Sequence, residues 1–265
     1  MNRKPIACPA FYPNTFEKLD RAIQDAFKSK TGPGTLQAKR RNSTVDLFIA
    51  PCDTIEKTGP CTAWGYMDIA EAPFPETYMI LGTNNQSDTK FSTYLFADWE
   101  TPFGPVKVNQ EKGKELMEVF PQILNEHTAH AKEHSVEVQL PWLQFASRDK
   151  LDSLTFIPLV INTTSLKEIQ KAAEVLSPFL AEHKIPLIVS QNIDDTATLQ
   201  YIKSGDTGAL HNYKQRKQTD LKEIAPLLLV MEIAKLQKKH ATIINEQPSR
   251  IKSKEKTHYA CVKFQ

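Results

Sequence analysis

One stretch indicates how this chain folds: Glu133-His134-Ser135-Val136-Glu137-Val138-Gln139-Leu140-Pro141-Trp142-Leu143. Its apolar residues recur at the spacing i, i+4, i+7, which places Val136, Leu140 and Leu143 on one face of a helix. Val138 and Trp142 form a second apolar line that widens this face. Two carboxylates and an imidazole lie in the first five residues. The stretch therefore predicts a mostly buried helix with a polar entry, an arrangement that mounts cleft residues on a rigid element.

Strands and helices alternate on both sides of this stretch. Short apolar runs predict buried strands at 45–50, 78–82, 154–161 and 186–190, two short strands within 91–107, and two final strands at 241–244 and 257–264. Helical patterns open near Asn14 or Thr15, at about Asn109, at Ser165 and at about Ala225. Their inward residues are predicted to include Phe16, Leu19, Ile23, Phe27, Leu116, Val119 and Phe120. Alternating strands and helices indicate an α/β domain with a central mixed sheet flanked by helices. No linker divides the chain, so we expect one domain over residues 1–265.

The opening stretch resembles the signature of the Memo family, also known as AmmeMemoRadiSam system protein B. Three further segments are similar to the family: Phe11-Tyr12-Pro13 before a helix, Gly59–Tyr66, and the turn Pro102–Pro105. The resemblance covers nearly the whole chain. It implies the fold of class III extradiol dioxygenases, with a central mixed sheet.

The resemblance also implies where the family keeps its metal site, and this chain differs at each of those positions. The family's histidine after the first strand corresponds to Cys52, which is followed by Asp53. Its His-His pair corresponds to Asn85 and Gln86. The remaining family positions, an Asp, a His and a Cys, correspond to Asn192, Asp195 and Lys222. Amides are poor ligands for zinc, copper or iron. The resemblance thus implies a cleft lined by Cys52, Asn85, Gln86, Glu133, His134, Asn192, Asp195 and Lys222, without the family's ligands.

Composition excludes some classes of protein. The chain has 265 residues, and 33 Lys and Arg against 31 Asp and Glu give a net charge of +2, so no strong positive field favours a polyanionic partner. Nucleic-acid binding is therefore not expected, and the basic clusters 214–217 and 252–256 are interpreted as solvated faces.

The four cysteines show neither a CxxC pair nor zinc-type spacing. No apolar run is long enough to span a membrane, and we expect a soluble, cytoplasmic protein.

Several residues could carry chemistry, and each has a simpler interpretation. His127, His130, His134 and Glu137 would share one face of a continuous helix and could bind zinc or iron, although a polar loop with solvated histidines is the preferred interpretation. His134, Glu137 and Cys52 are the catalytic candidates. His134 could transfer protons with Glu133 or Glu137, or could serve only to satisfy hydrogen bonds at the helix entry. Cys52 could be a redox thiol or a small residue at a strand end.

Together these patterns favour a divergent family member that has lost the metal site and acts as a non-catalytic binding or structural protein, with no cofactor. The alternative is a metal- or thiol-dependent redox enzyme that holds an iron, copper or zinc ion in a rebuilt site around Cys52, Asp53, His134 and Asp195. The partner is not specified by the sequence and could be a small molecule or a protein.

Two structural expectations follow. Cys52, Asn85, His134 and Asn192 should converge at one end of the sheet. His134 should be a buried, hydrogen-bonded imidazole whose replacement by Ala costs about 1–3 kcal/mol.

Overall fold

The computed structural model describes residues 2–36, 44–193, 195–248 and 258–265, and ten strands and nine helices lie within these ranges. The strands are β1 (Leu47–Ala50), β2 (Thr77–Thr83), β3 (Phe91–Thr93), β4 (Trp99–Thr101), β5 (Gly104–Val108), β6 (Ile123–Asn125), β7 (Thr155–Ile161), β8 (Leu187–Ser190), β9 (Ala241–Pro248) and β10 (His258–Phe264). The helices are α1 (Phe16–Lys28), α2 (Ile55–Glu71), α3 (Gln110–Val119), α4 (Thr128–Ala131), α5 (Leu140–Ala146), α6 (Leu166–His183), α7 (Thr196–Ser204), α8 (Thr207–Arg216) and α9 (Ala225–Leu236).

All ten strands belong to one mixed sheet. Its main order is β4-β5-β7-β2-β8-β1-β10-β9. Off this path, β3 pairs with the second half of β7, and β6 pairs with β3. The central strands β5, β7, β2, β8 and β1 run parallel, whereas β4, β10 and β9 are antiparallel additions at the two edges. The predicted α/β class with a central mixed sheet is confirmed.

Helices cover both faces of the sheet, which explains why the central strands are continuous apolar runs. Side chains alternate along each strand, so Leu47 and Ile49 of β1 pack under α3, α6 and α9, whereas Phe48 packs on the opposite side with α1, α2 and α5. All residues of β1, β2 and β8 are buried. The parallel centre of the sheet is therefore rigid, and it fixes the positions of the loops that leave its carboxyl edge.

The opening stretch is buried as predicted, but it is not one helix. Residues Glu137–Gln139 form a 3-10 turn, and α5 starts only at Leu140, with Pro141 in its first turn. The alternative in which His127, His130, His134 and Glu137 share one face of a continuous helix does not hold, because α4 ends at Ala131 and the chain is irregular up to the 3-10 turn. The preferred interpretation of solvated histidines is wrong for His130, which is completely buried.

Other local predictions differ from the structure in instructive ways. Phe16 and Val119 are 53% exposed although both fit an apolar helical face. Residues 91–107 contribute to three strands rather than two, and α7, α8 and β6 were not predicted. The basic segment 252–256 lies outside the described residues. In the part of the chain that the structure describes, no helix has the length and apolar character needed to cross a bilayer.

Candidate functional site

A cleft of about 320 Å³ lies at the carboxyl edge of the sheet, where β1, β2 and β8 end beside one another. In open α/β sheets this edge is where loops from neighbouring strands meet and ligands bind. The cleft is lined by Cys52, Thr83, Asn85, Glu133, His134, Ser135, Ser190, Gln191, Asn192, Thr219, Glu223 and Ile224. The structure therefore brings together Cys52, Asn85, His134 and Asn192, which lie far apart in the sequence.

Five of the eight residues predicted to line the cleft do so, and the other three do not. Gln86 is exposed beyond the cleft, and Lys222 is half-exposed in a 3-10 turn that precedes α9. Asp195 caps α7 by accepting a hydrogen bond from the Thr198 N–H, and its carboxylate pairs with the buried Lys214 at 3.2 Å.

Glu223 lines the cleft and was not among the predicted residues. Glu223 directly follows Lys222 in the same 3-10 turn. The sequence therefore indicated the turn that reaches the cleft, but not which of its side chains lines it. No local pattern distinguishes the two, because a 3-10 turn has no strict apolar periodicity that would show which residue faces inward.

The floor of the cleft is held by Gln139. Its amide nitrogen donates to the Pro51 carbonyl at 2.9 Å and to the Ser190 hydroxyl at 2.7 Å, and its amide oxygen accepts from the Tyr66 hydroxyl at 2.8 Å. Gln139 is completely buried. One side chain from the opening stretch thus connects the ends of β1 and β8 to α2.

Asn192 provides a second connection between the same strand ends. Its side-chain oxygen accepts a hydrogen bond from the Cys52 N–H at 2.8 Å, and its side-chain nitrogen donates to the Cys52 carbonyl at 3.0 Å. Only an amide can accept and donate in this way. Asn192 therefore has a structural reason to be an amide, and its polar atoms are used within the protein.

Restoring an acid at this position should destabilise the protein. Asn192→Asp retains the shape of the side chain but cannot donate to the Cys52 carbonyl, and it adds a negative charge to the cleft that Glu133 and Glu223 also line. We expect a loss of about 1–3 kcal/mol in the free energy of unfolding, measured by urea denaturation at neutral pH. Asp206→Asn at an exposed helix cap is the matched control, and equal stability of Asn192→Asp and the parent would contradict the role assigned here.

His134 is positioned differently from the prediction. Its side chain is 37% exposed and makes no hydrogen bond among the described residues; its Nδ1 lies 3.8 Å from Glu133 Oε1. One ring face stacks on Phe11, with centroids 4.2 Å apart. The prediction of a buried, hydrogen-bonded imidazole is wrong, and removing this ring leaves no unpaired buried group. The ring is available to contact a molecule in the cleft.

The cleft carries negative charge. Glu133 is 2% exposed, and its carboxylate lies close enough to act electrostatically on Glu223. Partial burial raises the pKa of the Glu223 carboxyl above its ordinary value, and the neighbouring Asp220 and Glu133 carboxylates act in the same direction, whereas Asn85 and His134 oppose them. Among the described residues that line the cleft, none is a lysine or arginine.

Cys52 is a poor nucleophile in this setting. Burial raises the pKa of its thiol to about 12; Ser190 lowers the pKa, but the Glu133, Asp53 and Glu223 carboxylates raise it further. The thiolate is the nucleophilic form, so at neutral pH almost all of Cys52 is unreactive thiol. These surroundings do not support thiol chemistry.

The reactivity of Cys52 can be measured by alkylation. At pH 7.5 a pKa of about 12 lowers the thiolate fraction about 3,000-fold relative to an ordinary cysteine, and the greater intrinsic nucleophilicity of a basic thiolate recovers about 30-fold of this. We expect iodoacetamide to modify Cys52 about 100-fold more slowly than N-acetylcysteine, followed by peptide mass spectrometry. Glu133→Gln should accelerate the reaction by removing a negative neighbour. Alkylation of the parent at the rate of the free thiol would contradict this prediction.

Two other predicted chemical residues lie outside the cleft. Glu137 is completely buried, and its carboxylate accepts hydrogen bonds from Arg3, Ile6, Ala7 and Tyr12. Because both carboxylate oxygens already accept hydrogen bonds within the protein, neither is available for proton transfer. Glu137 therefore stabilises the fold and is not a catalytic candidate.

Asp53 is likewise engaged elsewhere. Its carboxylate pairs with Lys57 at 3.1 Å and accepts from the Tyr259 hydroxyl at 2.7 Å. The rebuilt site that would join Cys52 and His134 to Asp53 and Asp195 is therefore not assembled.

The residues present do not fit the family's metal ion. Within the described ranges, no group of three or more His, Cys, Asp or Glu side chains is arranged to hold a metal. Asn85 and Asn192 offer amide oxygens, which bind zinc, copper and iron poorly, and the Asn192 amide is already bonded to Cys52. A catalytic zinc site generally needs three protein ligands.

Comparison with known proteins agrees with the fold. The sequence profile of the family described as Memo-like protein matches residues 3–260. A MEMO1 family protein of Metallosphaera sedula is 27% identical, over 94% of this chain and 93% of that protein, and one of Sulfurisphaera tokodaii is 27% identical over 100% and 99%. An uncharacterized protein from Escherichia coli K12 has a similar structure, with a TM-score of 0.60 at 14% identity, covering 84% of this chain and 100% of the other. Because the profile spans almost the entire chain, this protein belongs to the Memo-like family.

Proposed function

We propose that this protein is a non-catalytic member of its family that binds a small polar molecule in the cleft without a metal ion. The observation that carries the proposal is the cleft itself. It gathers hydroxyl, amide, imidazole and carboxylate groups from four separate segments. The Glu133 carboxylate that lines it is 2% exposed, and the hydrogen bond it accepts from the described residues comes from the Ser135 N–H at 2.8 Å. Buried charges are normally paired, so a buried carboxylate with a single donor in a cleft supports a role in binding a ligand.

The size of the cleft favours a small molecule over a macromolecule. A volume of about 320 Å³ lies at the lower end of the range for ligand pockets, which begins near 300 Å³. The basic cluster 214–217 gives little support to a polyanionic partner, because Lys214 is buried and paired with Asp195.

The chemistry of the cleft supports binding without catalysis. The high pKa of Cys52 and the saturated carboxylate of Glu137 remove two of the three catalytic candidates. His134 alone provides no oriented acid–base pair, since its nearest carboxylate oxygen is 3.8 Å away. The four free cysteines support a reducing compartment, and we include a cytoplasmic location in the proposal.

A ligand screen in the presence of EDTA tests the proposal. The full-length protein is screened by native mass spectrometry against a library of polar metabolites, and each hit is repeated with Asn85→Tyr, which fills the cleft from an exposed position. We expect at least one hit that binds the parent and binds Asn85→Tyr at least about tenfold more weakly, about 1.4 kcal/mol. Glu100→Gln, at an exposed pair with Lys4, is the control.

Two results would contradict the proposal. In the first, no compound binds with EDTA, and binding appears when iron, copper or zinc is supplied. In the second, all hits bind Asn85→Tyr as tightly as they bind the parent, which would place the ligand elsewhere on the protein.

A further inference from the structure

A second cavity, of about 360 Å³, lies at the opposite edge of the sheet from the cleft. One of the residues that line it, Phe264 at the end of β10, pairs with Leu47 at the start of β1, whereas the cleft lies beyond the carboxyl end of β1. The last turns of α7 and α9 and the first residue of β9 also contribute to it. We call this cavity the basic pocket, because it is lined by Lys203, Lys235, Lys238, Lys239 and His240.

The positive charge of the basic pocket is largely unpaired. Of its twelve lining residues five are basic, and none is an aspartate or a glutamate. Lys239 pairs with Asp46. Lys203, Lys235 and Lys238 are exposed, and their side chains make neither an ion pair nor a hydrogen bond among the described residues. The chain as a whole is balanced, with 33 Lys and Arg against 31 Asp and Glu, so this excess of cations is a local feature.

The ends of α7 and α9 account for only part of this charge. Lys203 and Lys235 lie in the last turns of these helices, where a lysine complements the negative end of the helix dipole. Each helix end is equivalent to about half a negative charge, so the two ends together offset about one of the unpaired lysines. The nearest acids along the chain are engaged outside the pocket, since Asp206 caps α8 and the buried Glu232 accepts a hydrogen bond from Thr207. Cationic charge therefore remains that no lining residue neutralises.

The base of the basic pocket is apolar, which is an observation independent of its charge. Ile202, Met231, Ala234 and Phe264 line it, and all four are buried. The alkyl stems of lysines extend such an apolar surface while their ammonium groups stay in contact with water. A volume of about 360 Å³ falls within the range that small ligands occupy. The pocket thus combines apolar contact at its base with cations at its rim.

From these observations we infer that the basic pocket binds a small carboxylate that carries an apolar body, such as a medium-chain fatty acid or an arylalkanoate. The carboxylate accepts hydrogen bonds from Lys203, Lys235 and Lys238, because an ammonium group has three donors and no acceptor. Such charge-assisted hydrogen bonds are stronger than neutral ones. The hydrocarbon body packs on the apolar base, which removes its surface from water. The inference does not depend on the proposed function, since the two cavities lie at opposite edges of the sheet.

Isothermal titration calorimetry with defined probes tests the inference. The full-length protein is titrated with octanoate and with 4-phenylbutyrate. Acetate serves as a carboxylate without an apolar body, and octylammonium as the same body with the opposite charge. We expect octanoate or 4-phenylbutyrate to bind at least about tenfold more tightly than either comparison compound. Raising the concentration of NaCl should weaken this binding, because salt screens the attraction between exposed charges.

Variants of exposed residues provide the matched comparison. Lys238 has a φ of 55°, where glycine is favoured, so Lys238→Gly removes a charge and keeps the backbone. Lys238→Gly and Lys203→Gln should each weaken binding about threefold, and together at least about tenfold. Ser204→Trp fills the pocket from an exposed position and should weaken binding at least about tenfold. Lys184→Gly is the control, because Lys184 has a φ of 53° and does not line the pocket; it should change affinity less than about twofold.

Two outcomes would overturn the inference. In the first, neither octanoate nor 4-phenylbutyrate binds more tightly than acetate and octylammonium. In the second, the Lys203 and Lys238 double variant and Ser204→Trp bind the carboxylate as tightly as the parent. Asn85→Tyr, which fills the cleft, should bind the carboxylate like the parent. If Asn85→Tyr alone weakens binding, the carboxylate occupies the cleft, which overturns the inference about the basic pocket and supports the proposed function instead.

Discussion

Glu137→Gln should lower the free energy of unfolding by about 3–5 kcal/mol, the usual cost of removing one partner from a buried ion pair. The carboxylate of Glu137 lies 2.5 Å from Arg3 Nη1, and the side chains of the pair are 0% and 4% exposed. It also accepts from the N–H groups of Ile6 and Ala7 and from the Tyr12 hydroxyl at 2.6 Å. Glutamine would leave the Arg3 guanidinium without its negative partner. It would also place an amide NH₂ group, itself a donor, against groups that donate to Glu137 in the parent.

The effect should extend beyond the pair, because Arg3 also holds the loop that precedes the 3-10 turn. Its guanidinium donates to the carbonyls of His130 and Glu133 and stacks over Trp99. The segment at residues 3–12 thus packs against the opening stretch through one buried network. Loss of the charge on Glu137 should loosen both, including the backbone that carries Glu133.

Urea denaturation and thermal melting measure this change. At about 2–4 °C per kcal/mol for a domain of this size, the melting temperature should fall by about 10 °C. Glu100→Gln breaks the exposed pair with Lys4 and should shift stability by less than about 0.5 kcal/mol. A loss of under about 1 kcal/mol for Glu137→Gln would show that the network is not important for stability.

Gln139→Met should cost about 3 kcal/mol, since each buried polar group left unpaired costs about 1–3 kcal/mol. Methionine has a similar volume but no polar hydrogen, so the Pro51 carbonyl and the hydroxyls of Ser190 and Tyr66 would lose a buried partner. The strand ends that form the cleft would then be less firmly connected, and ligand binding should weaken together with stability.

The Gln139 prediction has an internal control in Tyr66→Phe. This variant removes one of the groups that Gln139 satisfies, so the double variant should be more stable than the sum of the two single effects implies. Strict additivity in urea denaturation would mean that Tyr66 and Gln139 do not interact as described. Equal stability of Gln139→Met and the parent would remove the argument that this side chain supports the cleft.

Elements with strong local patterns could be predicted from the sequence. Buried parallel strands are continuous apolar runs, and the faces of α1 and α6 follow the helical period, so the class of fold and most of the elements were correct. Phe16 and Val119 were wrong because a helical period shows which residues share a face but not whether another element covers its ends. The 3-10 entry to α5 was missed because it depends on tertiary hydrogen bonds to Glu137.

The site was predictable to the extent that strand ends determine it. Cys52, Asn85 and Asn192 follow parallel strands, and such strands deliver their carboxyl ends to one edge. The role of Glu137 could not be predicted, because its ion-pair partner Arg3 lies 134 residues away and nothing local indicates the pairing. Asp53 and Asp195 were placed in a hypothetical site because no local pattern indicates their partners: Tyr259 lies 206 residues from Asp53, and Lys214 lies 19 residues from Asp195.

The central claim is that the cleft functions without a metal ion, and metal analysis tests it most directly. The full-length protein is purified without chelator, incubated with an equimolar mixture of Fe²⁺, Cu²⁺ and Zn²⁺, passed through a desalting column and measured by inductively coupled plasma mass spectrometry. Because no set of three suitable ligands converges among the described residues, we expect less than about 0.1 equivalent of each metal. About one equivalent of a single metal per chain, lost in His134→Ala and Cys52→Ala, would contradict the claim.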